Sequence, residues 1–128
     1  MPPRLIIDHH NGVPAYRQIM DQLKLQIVTG ILPAGTEMAS TRSLSAEISL
    51  NPMTISKAYS LLEREGVLER RRGQTLVVRE RSAGETETNK LAHLRQHLAE
   101  AATMANQLGI SPSQALKLFR ETLDSSTP

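Results

Sequence analysis

Asn51-Pro52-Met53-Thr54-Ile55-Ser56-Lys57-Ala58-Tyr59 is the stretch on which the fold turns. Asn51 is a preferred N-cap residue. Pro52 suits the first helical position, where its missing N–H has no partner to lose. Ile55, Ala58, Tyr59 and Leu62 recur at helical spacing and predict a buried face. Asn51, Met53, Thr54, Ser56 and Lys57 are left at or near the outer face of the first turns. A helix with an anchored back and a small polar front matches the DNA major groove, which admits an α-helix and displays base edges to it.

The flanks extend this reading. Upstream, Ser40 to Ile48 predicts a short helix capped by Ser40 or Thr41, with Leu44, Ala46 and Ile48 as apolar surface. Ser49-Leu50 leaves only a tight connection to Asn51, as in a helix-turn-helix. Downstream, the helix runs through Leu61, Leu62, Glu63 and Arg64 to Gly66, a natural residue just past a helix end. Val67-Leu68-Glu69-Arg70-Arg71-Arg72, Gly73-Gln74 and Thr75-Leu76-Val77-Val78-Arg79 then read as two strands around a glycine turn. A helix-turn-helix followed by a basic hairpin is a winged helix. Before it, a helix from about Pro14 to Thr29 carries an apolar stripe of Tyr16, Ile19, Met20, Leu23 and Ile27. Leu32-Pro33-Ala34-Gly35 is a turn. Leu5-Ile6-Ile7 reads as a short extended segment at the domain edge.

Pro14 to Val78 resembles the DNA-binding domain of the GntR family of bacterial transcription regulators. The matching stretches are Pro14-Ala15-Tyr16-Arg17-Gln18-Ile19, Ile27-Val28-Thr29-Gly30-Ile31-Leu32-Pro33-Ala34-Gly35, Ser40-Thr41-Arg42-Ser43-Leu44 and Leu62 through Gly73. The Asn51-Pro52-Met53-Thr54 start and the short C-terminal part look most like the YtrA subfamily, which carries a small helical dimerisation segment. The resemblance implies DNA contacts from Ser40 and Arg42 at the start of the second helix. It implies further contacts from Asn51, Met53, Thr54, Ser56 and Lys57 on the recognition helix, and from Arg72, Gly73 and Gln74 at the wing tip. This chain departs from the family in three places. Met38-Ala39 replaces Leu-Pro, which predicts a looser lead-in to the second helix. Ser56 stands where many members have Arg. Thr75-Leu76 follows Gly73-Gln74 where a second glycine is usual in the wing.

Charge agrees with these roles. Net charge is only +2 and the pI near 9.3, a mild bias that identifies no partner by itself. Residues 1–80 hold ten Lys+Arg against eight Asp+Glu, and residues 81–128 hold five of each. The surplus therefore lies in the winged half. Arg42, Lys57 and the Arg70-Arg71-Arg72 run can neutralise phosphates and release counterions, which predicts salt-sensitive binding. Asn51 as a cap has its carbonyl committed, and that role comes first. Met53 and Thr54 can meet thymine methyls. With no cysteine, disulfides and thiolate metal sites are excluded. Trp is absent and three other aromatics remain, which argues against a stacking platform for single strands. No apolar run spans a membrane and Met1-Pro2-Pro3-Arg4 is no signal peptide, so the expected location is cytoplasmic.

Composition changes near Arg81. Ser82-Ala83-Gly84-Glu85-Thr86-Glu87-Thr88 is small and polar, and reads as a linker or a loose helix start. Leu91, Leu94, Leu98, Ala101, Ala105 and Leu108 then recur at alternating spacings of three and four, a short heptad seam. Gly109 stops that helix. Ser111-Pro112-Ser113-Gln114 restarts with a capping box, and Ala115, Leu116, Phe119 and Leu123 form the next apolar face. Two such helices cannot enclose a core alone, and a second copy of the same hairpin is the simplest partner.

The expected architecture is mainly α with a small β-hairpin. A winged helix-turn-helix over residues 1–80 precedes a linker and two-helix dimerisation segment over 81–128. The expected function is a homodimeric regulator of transcription on double-stranded DNA, more a repressor than an activator; the resemblance implies an inverted-repeat operator and control of its own operon, often with transport genes. Other readings stay open. The fold could serve as a protein-interaction module. His93 and His97, spaced i, i+4, could hold a metal in a sensing switch, though no carboxylate or cysteine stands at a fitting position, and neither metal nor cofactor is expected. His9-His10 reads as exposed loop. Residues 81–128 leave little room in one chain for a ligand pocket of ~300–1,000 Å³, so no effector is assigned. No nucleophile, base and oxyanion site occur together, and no phosphate-binding glycine loop is present, which argues against an enzyme.

Overall fold

The computed structural model describes residues 5–81 and 83–126, with the backbone alone for Gln74, Ala83 and Gly84. It contains helices α1 (Ala15–Val28), α2 (Thr41–Ile48) and α3 (Pro52–Arg64). Strands β1 (Leu68–Arg70) and β2 (Leu76–Val78) follow, and then helices α4 (Ala83–Gln107) and α5 (Pro112–Ser126). The chain divides into two compact units, Met1–Lys90 and Leu91–Pro128.

In the first unit α3 packs on both α1 and α2. The core comprises Ile19 and Leu23 from α1, Leu44 from α2, Ile55, Ala58, Tyr59 and Leu62 from α3, and Leu68 and Val78 from the strands, closed by Leu32, Met38 and Val67. The apolar stripe of α3 is therefore the face that the periodicity predicts. Ala46 is the exception among the expected apolar positions of α2: it is exposed.

Local signals explain the boundaries. Ser40 caps α2, its hydroxyl accepting from the Ser43 N–H at 3.0 Å. Ser49 ends α2 in the left-handed conformation at φ 55°, and the Ser45 hydroxyl donates to the Leu50 carbonyl to hold the turn. Asn51 then caps α3, its side-chain oxygen accepting from the Met53 N–H at 2.8 Å. At the far end Gly66 has φ 78°. Its N–H donates to Glu63 O at 3.1 Å, and the Val67 N–H to Leu62 O at 2.9 Å. This is a Schellman closure, which needs the left-handed residue that glycine supplies without strain.

The hairpin is antiparallel, with Leu68 opposite Val78 and Arg70 opposite Leu76. Residues 35–38 lie along the other side of β2. Glu37 bridges Val77, and three bonds of 2.8–2.9 Å link Gly35, Thr36 and Met38 to Val78 and Leu76. This pairing was not visible in the sequence, because Pro33-Ala34-Gly35-Thr36-Glu37 has no strand alternation. It also corrects the expectation of a loose lead-in to α2. Met38 is buried in the core, and the Tyr59 hydroxyl donates to Ala39 O at 2.9 Å, so the segment is held on both sides.

The N-terminal segment is held by α1. The buried Gln18 side chain donates to Asp8 O and Val13 O at 2.7 and 2.8 Å and accepts from the Asp8 N–H at 2.8 Å. Gln22, one turn on, accepts from the Ile6 N–H at 2.9 Å and donates back to Ile6 O.

The segment read as a linker or a loose helix start lies in α4 from Ala83 to Thr88; Ser82 is outside the described residues. In the second unit, the Gly109 N–H donates to Asn106 O and the Ile110 N–H to Ala105 O, closing α4. Ser111 and Gln114 exchange backbone-to-side-chain bonds at 3.3 Å, the capping box that starts α5. No residue of α5 is buried.

Candidate nucleic-acid interface

The outer face of α3 is polar because its inner face is spent on the core. Met53, Ser56 and Lys57 are exposed, with Met53 at 77% of its full surface, and Thr54 is half-buried at the edge. Ser60 and Arg64 continue the same exposed row. They follow Met53 and Lys57 at helical spacing, so the periodicity that located the face could have extended it to them.

Around this face stand the ends of neighbouring elements. Ser40 and Arg42 are exposed at the start of α2. The wing tip between β1 and β2 is one turn of 3-10 helix, Arg72–Gln74, closed by the Arg71 N–H donating to Thr75 O at 2.9 Å. Gly73 takes φ 79° there, a left-handed position that a side chain would strain. Its surroundings are open. The Gln74 side chain lies outside the described atoms. A cleft of about 410 Å³ runs between α2, α3 and the wing, lined by Ser40, Thr41, Ser56, Ser60, Arg70 and Thr75 among others. Met38, Ala39, Tyr59 and Leu76 supply the rest of its wall, and the hydroxyls with the one guanidinium offer hydrogen bonds to phosphate oxygens or water.

The arginine run is not uniform. Arg70 pairs with Glu63 at 3.4 Å and Arg71 with Glu69 at 3.6 Å. Arg42, Arg64 and Arg72 make no ion pair among the described residues. Pairs as exposed as these are weak and yield readily to a phosphate. Lys57 has a different partner: its Nζ lies 4.0 Å from the centre of the Tyr16 ring. Tyr16 is half-buried against the core, so its packing role and an outward-facing ring coexist.

On Leu91–Pro128, the predicted seam residues Leu91, Leu94, Leu98, Ala101 and Leu108 are exposed, as are Leu116, Phe119 and Leu123; Ala105 is half-buried. The His93 and His97 rings meet edge-on with centroids 5.3 Å apart.

A winged helix-turn-helix with an exposed polar row on its second helix belongs to the class of DNA-binding regulators. The profile of bacterial regulatory proteins of the gntR family matches residues 15–78. The HTH-type transcriptional repressor YtrA of Bacillus subtilis is 34% identical over 115 residues, which is 90% of this chain and 88% of that protein. A transcriptional antiterminator from Listeria monocytogenes aligns in structure with a TM-score of 0.72 at 31% identity, over 93% of this chain and 89% of that one. YtrA from Sulfolobus acidocaldarius, a GntR-family transcription factor, aligns at 0.59 and 28% identity, over 77% of this chain and 97% of that one. The chain belongs to the GntR family of bacterial transcription regulators. These relatives are regulators and not enzymes, and no helix among the described residues is long and apolar enough to cross a membrane.

Proposed function

We propose that the protein is a cytoplasmic, homodimeric repressor that binds an inverted-repeat operator and controls its own operon. The observation that carries this reading is the division of α3. Ile55, Ala58, Tyr59 and Leu62 are buried, while Met53, Ser56 and Lys57 are exposed on the opposite side. Met53, Thr54 and Ser56 face base edges in the major groove. Ser40, Arg42, Lys57 and Arg72 hold phosphates, and the Arg72-Gly73-Gln74 tip lies against the adjacent backbone. Asn51 sits close enough to DNA to matter, but its oxygen is engaged as the cap, so it sets the start of α3 more than it reads a base.

The functional division is residues 1–80 for DNA and 81–128 for dimerisation. Supporting the second part is the exposed apolar row Leu91, Leu94, Leu98, Ala101 and Leu108, with Ala105 half-buried in it, continued by Leu116, Phe119 and Leu123. Exposed apolar rows on helices are stabilised by pairing with a like row. Two-fold pairing then presents two recognition helices to two half-sites, and occupancy of the promoter blocks polymerase. The similarity to YtrA of Bacillus subtilis, a transcriptional repressor by name, supports the sign of regulation.

Arg42→Ala and Lys57→Ala test this reading. Each is expected to weaken binding to the protein's own upstream DNA and to relieve repression of a reporter fused to it. Unchanged repression with both variants would instead favour a winged-helix module that binds a protein partner.

A further inference from the structure

The Lys57 ammonium does not extend freely from the recognition helix. Its Nζ sits 4.0 Å from the centroid of the Tyr16 ring, within the range where the negative face of an aromatic ring attracts a cation. Tyr16 is in the first turn of α1 and partly buried against the core, so its ring is a fixed surface. Lys57 is exposed in the second turn of α3. A lysine on a bare helix face would sample many rotamers and lose them on meeting DNA. Here much of that freedom is already gone, since α1 and α3 pack together and bring the ring under the amine.

We infer that Tyr16 is a positioning residue for operator recognition: its ring holds the Lys57 ammonium in one place, pre-organised for the DNA. The inference rests on the operator-binding reading above and adds to it a residue of α1, outside the helix-turn-helix. The Tyr16 ring acts through its face, and its hydroxyl is not required. The ring contacts the ammonium only through its face, so the role is geometric. Loss of the ring therefore weakens binding where the position of Lys57 matters, on the operator. It leaves the loose, charge-driven association with unrelated DNA as it was.

Fluorescence anisotropy with the full chain, on its own upstream DNA and on scrambled DNA, tests this. Tyr16→Leu is expected to weaken upstream binding roughly two- to fivefold, the range for an exposed cation–ring contact, with scrambled DNA unaffected. Tyr16→Phe, which keeps the ring face, is expected to bind as the wild type does. In a Lys57→Gln background, Tyr16→Leu is expected to add no further loss. Equal loss with Phe and Leu would overturn the inference in favour of a direct hydroxyl–phosphate contact. No loss with Leu, or an undiminished loss in the Lys57→Gln background, would also overturn it. Wild-type protein that does not prefer its upstream DNA would overturn the operator reading and this role with it. A measurement on the free wild-type protein needs no variant to fold. The Lys57 Cε protons are expected upfield by ring current, and ordinary random-coil shifts there would overturn the inference directly.

Discussion

Arg72 carries the wing's most available charge. Its neighbours Arg70 and Arg71 face Glu63 and Glu69, while Arg72 has no ion pair among the described residues. Arg72→Ala is expected to weaken binding to all DNA sequences alike and to lower the salt slope by about one, as read by anisotropy at several salt concentrations. Tyr59 links stability to pH. Burial, with a smaller contribution from Glu47, pushes its phenol up to about 12 from 10.0. The folded state thus holds a proton that the unfolded chain releases. Its contribution is complete below pH 10.0 and is lost as pH rises toward about 12, a loss on the order of 2 kcal/mol. Tyr59→Phe is expected to abolish that alkaline loss in denaturant titrations. It should also cost about 1 kcal/mol at neutral pH, because the Ala39 carbonyl loses its donor. Of this residue-scale detail, the cap role of Asn51 was legible because caps obey a local rule. The Gln18 clamp was not: a glutamine on a helix gives no sign of which distant backbone it will bind. Nor did the arginine triplet reveal its acidic partners, since Glu63 approaches Arg70 only once the hairpin folds back along α3.

The elements were legible where periodicity and end signals coincide. In α3, the Asn-Pro start, the four buried positions and the glycine closure all agree. Gly66→Ala is expected to destabilise the fold by about 1–2 kcal/mol in chemical denaturation, the cost of forcing a side chain into the left-handed region; the position itself is uncrowded. Leu62→Ala removes a side chain with 0% exposure from the middle of the core and is expected to cost about 2–5 kcal/mol. The third pairing segment beside β2 escaped because it is short, at the sheet edge, and begins at Gly35 just after Pro33. The stretch Ala83 to Thr88 read by composition as a linker or a loose helix start, and it is the start of α4. Arg79 helps hold its start: the guanidinium donates to Gly66 O through Nε and meets Glu85 at 3.0 Å through Nη2. Composition does not report such a tertiary anchor.

In the molecule as a whole, the winged unit is followed by a segment whose exposed apolar row is proposed to pair with that of a second copy. Light scattering after gel filtration is expected to give about twice the 14.1 kDa chain mass. Leu98→Glu, which puts a charge into the middle of the seam, is expected to give monomers with thermal unfolding of the winged unit unchanged and operator binding greatly weakened; a dimer unaffected by this change would place the interface elsewhere. The family was legible from motifs between Pro14 and Val78, where the family profile matches residues 15–78, whereas the operator and the inducing signal leave no local mark in the chain. At the centre of the proposed function is sequence-specific recognition of DNA by α3 and the wing. Fluorescence anisotropy of the purified protein on its own upstream DNA, against scrambled DNA of equal length across a salt series, tests it most directly. Tighter binding to the upstream DNA is expected, with an affinity that falls steeply as salt rises. Equal, weak binding to both sequences, or no binding at low salt, would contradict it.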